Sequence, residues 1–265
     1  MSLSFSELVA CTLSGSWNKK WRTPQSPLVR GAALPALPAA LRDEMAWLER
    51  VSGGVAVVYG GCFGDGMTGR TPKDYDLTII APHHPLVTMG KIIFAAVNAG
   101  KSFGRYLWRH SLPWKRVRLK TVAGLLDMGC IQHKGDPEEL LHAIADNADF
   151  GVIAAAATLR GSYVTQRFLD EHERKVLRCR ALKTVRDYRN GVYKRLPKYA
   201  GIKYAGWPLE FESAADARYF SWAVQRRYTL PGLLSNNGQS AMYDFVEQHY
   251  LPRFGMKRPR PSVTP

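Results

Sequence analysis

The residues of this chain best suited to chemistry lie between positions 60 and 77, in the stretch GGCFGDGMTGRTPKDYDL. Asp74 and Asp76 stand one residue apart, and an apolar run, LTIIA, follows them. Successive side chains of a strand point to opposite faces, so two acids at this spacing share one. Side by side they repel, unless a cation or water separates them. Hard divalent ions such as Mg²⁺ or Mn²⁺ suit oxygen ligands, and Mg²⁺ is typically held by one or two carboxylates together with substrate phosphates. Two such ions about 3.5–4 Å apart activate an attacking hydroxyl and stabilise a leaving pyrophosphate. A spacer of twelve residues separates the acids from Gly60 and Gly61, which lack side chains and let a triphosphate approach the backbone closely. An acid–apolar–acid pair is common on exposed strands, and a glycine pair after a strand is often only a turn. Strand, glycine pair, spacer and acid pair in this order are far more restrictive.

The flanking elements must position those groups. VAVVY, residues 55–59, is a short apolar run bounded by glycines and reads as a buried strand. A glycine-studded loop follows, then DLTIIA as a second strand that Pro82 to Pro85 terminate. LRDEMAWLERV has helical spacing and is stopped by Ser52, Gly53 and Gly54. LVTMGKIIFAAVNAG reads as a helix, residues 105–132 as strand-like, and PEELLHAIADN as a helix opened by Pro137 with acids in its first turn. DFGVIAAAATL and SYVTQRF read as two further strands, and the chain beyond residue 168 as nearly all helical. The expected class is α+β, a mixed sheet flanked by helices and followed by a basic helical region. The expected divisions are an irregular arm (1–40), a catalytic domain (41–168), a basic helical region (169–253) and a disordered tail (254–265).

With 265 residues, 46% of them hydrophobic and 22% charged, the chain can bury a sizeable core. No apolar run approaches the roughly 18 residues of a membrane span. The N-terminus lacks the basic start and apolar block of a signal peptide, so a cytoplasmic protein is expected. Cys11, Cys62, Cys130 and Cys179 show no C-x-x-C spacing, which argues for reduced thiols rather than a zinc or redox motif. The net charge of +15 suggests a polyanionic partner, most often nucleic acid, with a role in solubility as the alternative reading. Between Arg174 and Lys198, ten Lys or Arg face a single acid, Asp187. Arg186 and Arg189, three apart, share one helix face and suit a guanidinium grip on a triphosphate or an RNA backbone, with Arg195 and Lys198 extending it. A solvated helix face is the alternative reading.

Other acids and bases need separate treatment. Asp127 lies in GLLDMGCI, where a buried carboxylate would require a metal, a cation or water, unless it sits at a solvent-facing strand end. Asp136 reads as a helix cap. His83 and His84, adjacent at a strand end, point to opposite faces and do not suit a shared metal.

The acid and glycine pattern resembles the polymerase-β-type nucleotidyltransferases. Its extended form is similar to the head-domain motif of tRNA CCA-adding enzymes and bacterial poly(A) polymerases, GG-x-x-R-D-x-x-x-G-x-x-x-x-D-x-D. Gly60, Gly61, Asp65, Gly69, Asp74 and Asp76 fall on its positions, and Lys73 belongs to the closely matching PKDYDL. Small nucleotidyltransferase-like proteins of bacteriophages look similar as well. Gly64 departs from the pattern, standing where the motif has arginine. The resemblance implies a template-independent transfer of NMP from an NTP to a hydroxyl acceptor, dependent on Mg²⁺ or Mn²⁺, with tRNA-like RNA as the acceptor. It implies Asp74, Asp76 and a third acid, Asp127, as metal-binding catalytic residues. Gly60, Gly61, Asp65, Lys73, Arg186, Arg189, Arg195 and Lys198 would meet the nucleotide, the arginines on a segment resembling the neck helix of the tRNA enzymes. Asp149, in DNADFGVIAAA, competes with Asp127 and reads as a structural or orienting residue. The alternative is a nucleic-acid-binding protein that keeps this fold without turnover.

Overall fold

The computed structural model describes residue 24 and residues 26–101, 117–121, 124–148, 150–179, 199 and 203–211. In chain order the elements are β1 (Leu28–Arg30), α1 (Ala39–Ser52), β2 (Val55–Tyr59), α2 (Gly61–Met67), β3 (Asp74–Ala81), α3 (Pro85–Asn98), β4 (Val117–Thr121) and β5 (Gly124–Gln132). They continue with α4 (Glu138–Asp146), a 3₁₀ turn (Gly151–Ile153), β6 (Ala155–Ala157), β7 (Ser162–Thr165), α5 (Gln166–Arg174), β8 (Leu177–Cys179) and β9 (Leu209–Phe211). Two compact units emerge: Met1–Ala148 with Ile153–Leu169, and Asp149–Val152 with Asp170–Pro265.

The first unit is an α+β structure on a seven-stranded mixed sheet, ordered β1-β7-β6-β2-β3-β5-β4. β3 and β5 are its parallel pair, and the other neighbours run antiparallel. Alternation gives each central strand two apolar faces. Val57, Ile80, Ala156 and Tyr163 pack with Leu141, Ile144 and Ala145 of α4. The alternate residues Ala56, Val58, Leu77 and Ile79 are fully buried on the opposite face. That side is covered by α1 and α3, which contact β2, β3 and β5. Leu41, Met45 and Leu48 recur at helical spacing in α1 and have no exposed surface. Gly53, left-handed at φ +68°, ends that helix and donates its N–H to Glu49 O.

Several segments depart from the sequence reading. Of the stretches expected as two strands, DFGVIAAAATL holds a 3₁₀ turn at Gly151–Ile153 before the short β6, and SYVTQRF is strand only to Thr165, with α5 starting at Gln166. The stretch expected as a loop after β2 is the helix α2, although it contains three glycines that disfavour helix. Packing supplies what propensity lacks: Phe63 is 2% exposed, and Pro35 lies so close to Gly66 that a methyl group there would collide with its ring. Within the expected irregular arm, Leu28–Arg30 pairs with β7 as an edge strand. In the region expected to be nearly all helical, β8 and β9 form a short parallel pair.

The described part of the second unit centres on a buried carboxylate. Glu171 Oε2 accepts from Val152 N–H at 3.0 Å and Arg178 N–H at 3.3 Å. His172 donates from Nε2 to Val152 O at 3.0 Å, and burial pulls its pKa below the ordinary histidine value. Arg178 and Arg174 bond Glu210 and hold its carboxyl below the usual range, with the Arg178 hydrogen bond the main cause. Among the described residues no helix is long and apolar enough to cross a membrane.

Gly54 permits the close approach of β2 to the end of β3, since a Cβ there would clash with Ile80 O and come within 2.9 Å of Ala81 Cβ. Gly54→Ala is expected to destabilise the first unit by about 1–3 kcal/mol, as overpacking typically does. A urea titration followed by tryptophan fluorescence would read this as a lower midpoint at unchanged slope.

Candidate active site

Asp74 and Asp76 open β3 and alternate with the buried Tyr75 and Leu77. Both acids therefore lie on the face of Thr78 and Ile80, the face that α4 covers further along the strand. The parallel register sets Asp127 of β5 directly opposite Asp76, and Leu125 opposite Asp74. Register partners on neighbouring strands share a face at about 4.8 Å, and alternate residues of one strand are about 7 Å apart. The three acids thus occupy one patch of the sheet, with Asp74 exposed and Asp76 and Asp127 half-buried. On the other side of β3, Tyr59 is the register partner of Asp76. On the edge strand β4, Arg118 is the register partner of Asp127.

The glycine pair is where β2 turns into α2. Gly60 has φ +85° and ψ −132°, a conformation that strongly favours glycine, and a Cβ there would lie 3.8 Å from Asp76 Oδ2. Its N–H donates to Ala155 O at 3.0 Å. That hydrogen bond makes Gly60 a side-chain-free wall beside Asp76, with its amide engaged by β6. Lys73 is exposed immediately before β3. Asp65 is buried in α2, with Arg70 Nε 3.5 Å from its Oδ1.

Of the remaining sequence candidates, Asp136 accepts from Glu138 N–H at 2.9 Å at the start of α4, the capping role its position suggests. His84 Nδ1 accepts from Leu86 N–H at 3.4 Å at the start of α3. Asp149, Arg186, Arg189, Arg195 and Lys198 lie outside the described residues.

Cys62 is a neighbour of the site that the acid pattern does not reveal. Burial pushes its thiol far above the ordinary range, and the negative charge of Asp76 adds to the effect. Its one clue in the sequence is its place directly after the glycine pair.

Among the described residues no group of three or more His, Cys, Asp or Glu side chains is gathered to hold a metal by itself. The donor chemistry nevertheless fits a hard divalent ion. Asp76 and Asp127 offer carboxylate oxygens from adjoining strands, Asp74 adds a third acid on the same face, and Mg²⁺ commonly takes its other ligands from water and substrate phosphate.

No protein-family model and no curated protein sequence matches the chain. Solved structures do. A tRNA-processing enzyme in an apo form superposes with a TM-score of 0.54 over 83% of this chain and 58% of its own, at 17% identity. A tRNA nucleotidyltransferase bound to a primer tRNA and an incoming ATP analogue gives 0.50 over 77% and 60%, at 15% identity. A CCA-adding enzyme in complex with CTP gives 0.50 over 82% and 54%, at 14% identity. The fold is that of the tRNA nucleotidyltransferases. The chain spans a little over half the length of these structures.

Burial also raises the Cys130 thiol, to about 12. Both Cys62 and Cys130 should therefore stay protonated at pH 8 and resist Ellman's reagent or iodoacetamide in the folded protein, reacting once it is denatured. Peptide mapping after alkylation checks this, and rapid native labelling of Cys62 would contradict its burial.

Proposed function

We propose that this chain is a template-independent, metal-dependent nucleotidyltransferase that moves NMP from an NTP to a hydroxyl acceptor, with tRNA-like RNA the preferred acceptor. The observation carrying this reading is the register of β3 with β5, in which Asp76 faces Asp127 beside a glycine wall. Three acids on one face of a sheet offer oxygen ligands of the kind that hold divalent ions accompanying a nucleotide. Neighbours whose structures hold CTP, an ATP analogue and primer tRNA support the substrate classes. The net charge of +15 suits an RNA backbone.

In this reading Asp74, Asp76 and Asp127 hold the ions, and Gly60 and Gly61 leave room for the triphosphate against α2. Lys73 meets nucleotide phosphate from the mouth of β3. The bound ions would lower the barrier to attack at the α-phosphorus by offsetting charge on the attacking and leaving oxygens. Asp127, on the strand next to Asp76, accepts the proton of the acceptor hydroxyl. Pyrophosphate leaves, and the chain's own contribution is positioning and charge. Arg186, Arg189, Arg195 and Lys198 are assigned to the nucleotide or RNA backbone on their sequence pattern alone.

The test is incubation of the protein with each α-³²P-labelled NTP, Mg²⁺ and total cellular RNA. Wild type is expected to label RNA, and Asp74→Ala with Asp76→Ala to lose at least about 10³-fold of that activity while RNA binding persists. RNA affinity should fall steeply as salt rises. Absence of labelling by the wild type with any NTP, at undiminished RNA binding, would leave a binding protein built on this fold.

A further inference from the structure

An ion pair ties α2 to the loop that enters β3. Asp65 is 6% exposed in the middle of α2, and Arg70 brings Nε to 3.5 Å from its Oδ1. The backbone closes the same loop. Arg70 N–H donates to Asp65 O at 2.8 Å, and Thr68 N–H donates to that oxygen at 3.1 Å. The Thr68 hydroxyl donates to Gly64 O and Asp65 O at 2.9 and 3.0 Å. Gly69, at φ +71°, turns the chain back on α2. Four residues before Asp65 the helix starts at Gly61, next to the glycine that faces Asp76. Four residues after Arg70 the chain enters β3 at Asp74.

A carboxylate buried this deeply needs a compensating cation. Position 64 is glycine, so the charge arrives from downstream, on the loop that carries Lys73 and Asp74. The planar guanidinium fixes its direction of approach in a way an ammonium does not. We propose that Asp65 and Arg70 are positioning residues: their ion pair sets the span between the glycine wall and the Asp74 end of β3, and through it the grip of the site on divalent ion and nucleotide. Asp65 acts from inside the helix, without touching the nucleotide. This inference rests on the nucleotidyltransferase reading above.

The experiment compares wild type, Arg70→Lys, the doubly neutral Asp65→Asn with Arg70→Gln, and an exposed control on α1, Arg42→Lys. Melting temperature establishes folding. Mn²⁺ binding to the protein alone, followed by electron paramagnetic resonance of the free ion, reads the site without turnover, and kcat and KM for NTP are measured separately. Arg70→Lys is expected to melt with the wild type yet bind Mn²⁺ about ten-fold more weakly and lose about ten-fold or more in kcat, as outer residues of metal sites do when changed. Raised metal should restore part of the kcat loss. The neutral pair should show the same defect, and Arg42→Lys none.

Wild-type Mn²⁺ binding and kcat in a folded Arg70→Lys, or in a folded neutral pair, would reduce the ion pair to a packing feature and overturn the inference. Mn²⁺ binding by the wild type without nucleotide transfer would sink the functional reading alone, and the variants' Mn²⁺ titrations would still decide the role of the pair. Neither Mn²⁺ binding nor transfer by the wild type would overturn both.

Discussion

The pairing of Asp76 with Asp127 across two parallel strands constrains everything around it. Two unit charges about 5 Å apart repel by roughly 3 kcal/mol at an effective dielectric near 20, a sizeable fraction of the net stability of a domain. A sheet that keeps such a pair needs rigid support beneath it. β3 and β5 have that support, because Leu77, Ile79, Leu126 and Met128 are buried on the opposite face. The apolar layer fixes the register, and a slip of one residue would turn the acids into the core. The same alternation that buries Tyr75 therefore aims its two neighbours outward.

The glycine pair answers to the same constraint from the other side. A residue with a side chain would be strained at the φ of Gly60, and the turn it makes brings the backbone beside Asp76. Cys62 then falls into a buried position where a thiolate is disfavoured both by burial and by the adjacent charge. The thiol beside the acids is therefore held in its protonated form.

Much of the sheet was readable from the sequence because its signals are local. VAVVY and LTIIA are apolar runs between turn residues, and α1, α3 and α4 carry helical spacing with recognisable ends. The sharing of one face by Asp74 and Asp76 follows from strand alternation alone. What eluded the reading depends on distant partners. α2 is helical against the propensity of its glycines because Phe63 is buried and Pro35 abuts Gly66. β1 exists because β7 offers an edge, and β8 because β9 lies beside it. Asp65 and Arg70 are near neighbours in the chain, yet the burial of that carboxylate depends on how α2 packs, which the sequence does not display. The likeness in fold to solved tRNA nucleotidyltransferases at 14–17% identity makes the same point, since the arrangement is shared where few residues are.

The parallel joining of β3 to β5 has a consequence for how the protein matures. Thr78 and Gly129, bonded across this seam, are separated by 51 positions. Antiparallel hairpins zip from a nearby turn, whereas this seam must first close a long loop, a slow step in folding. A nascent chain with β2 and β3 already exposed outside the ribosome carries its first two acids but not their opposite number. The three acids thus come together only when the fifth strand docks.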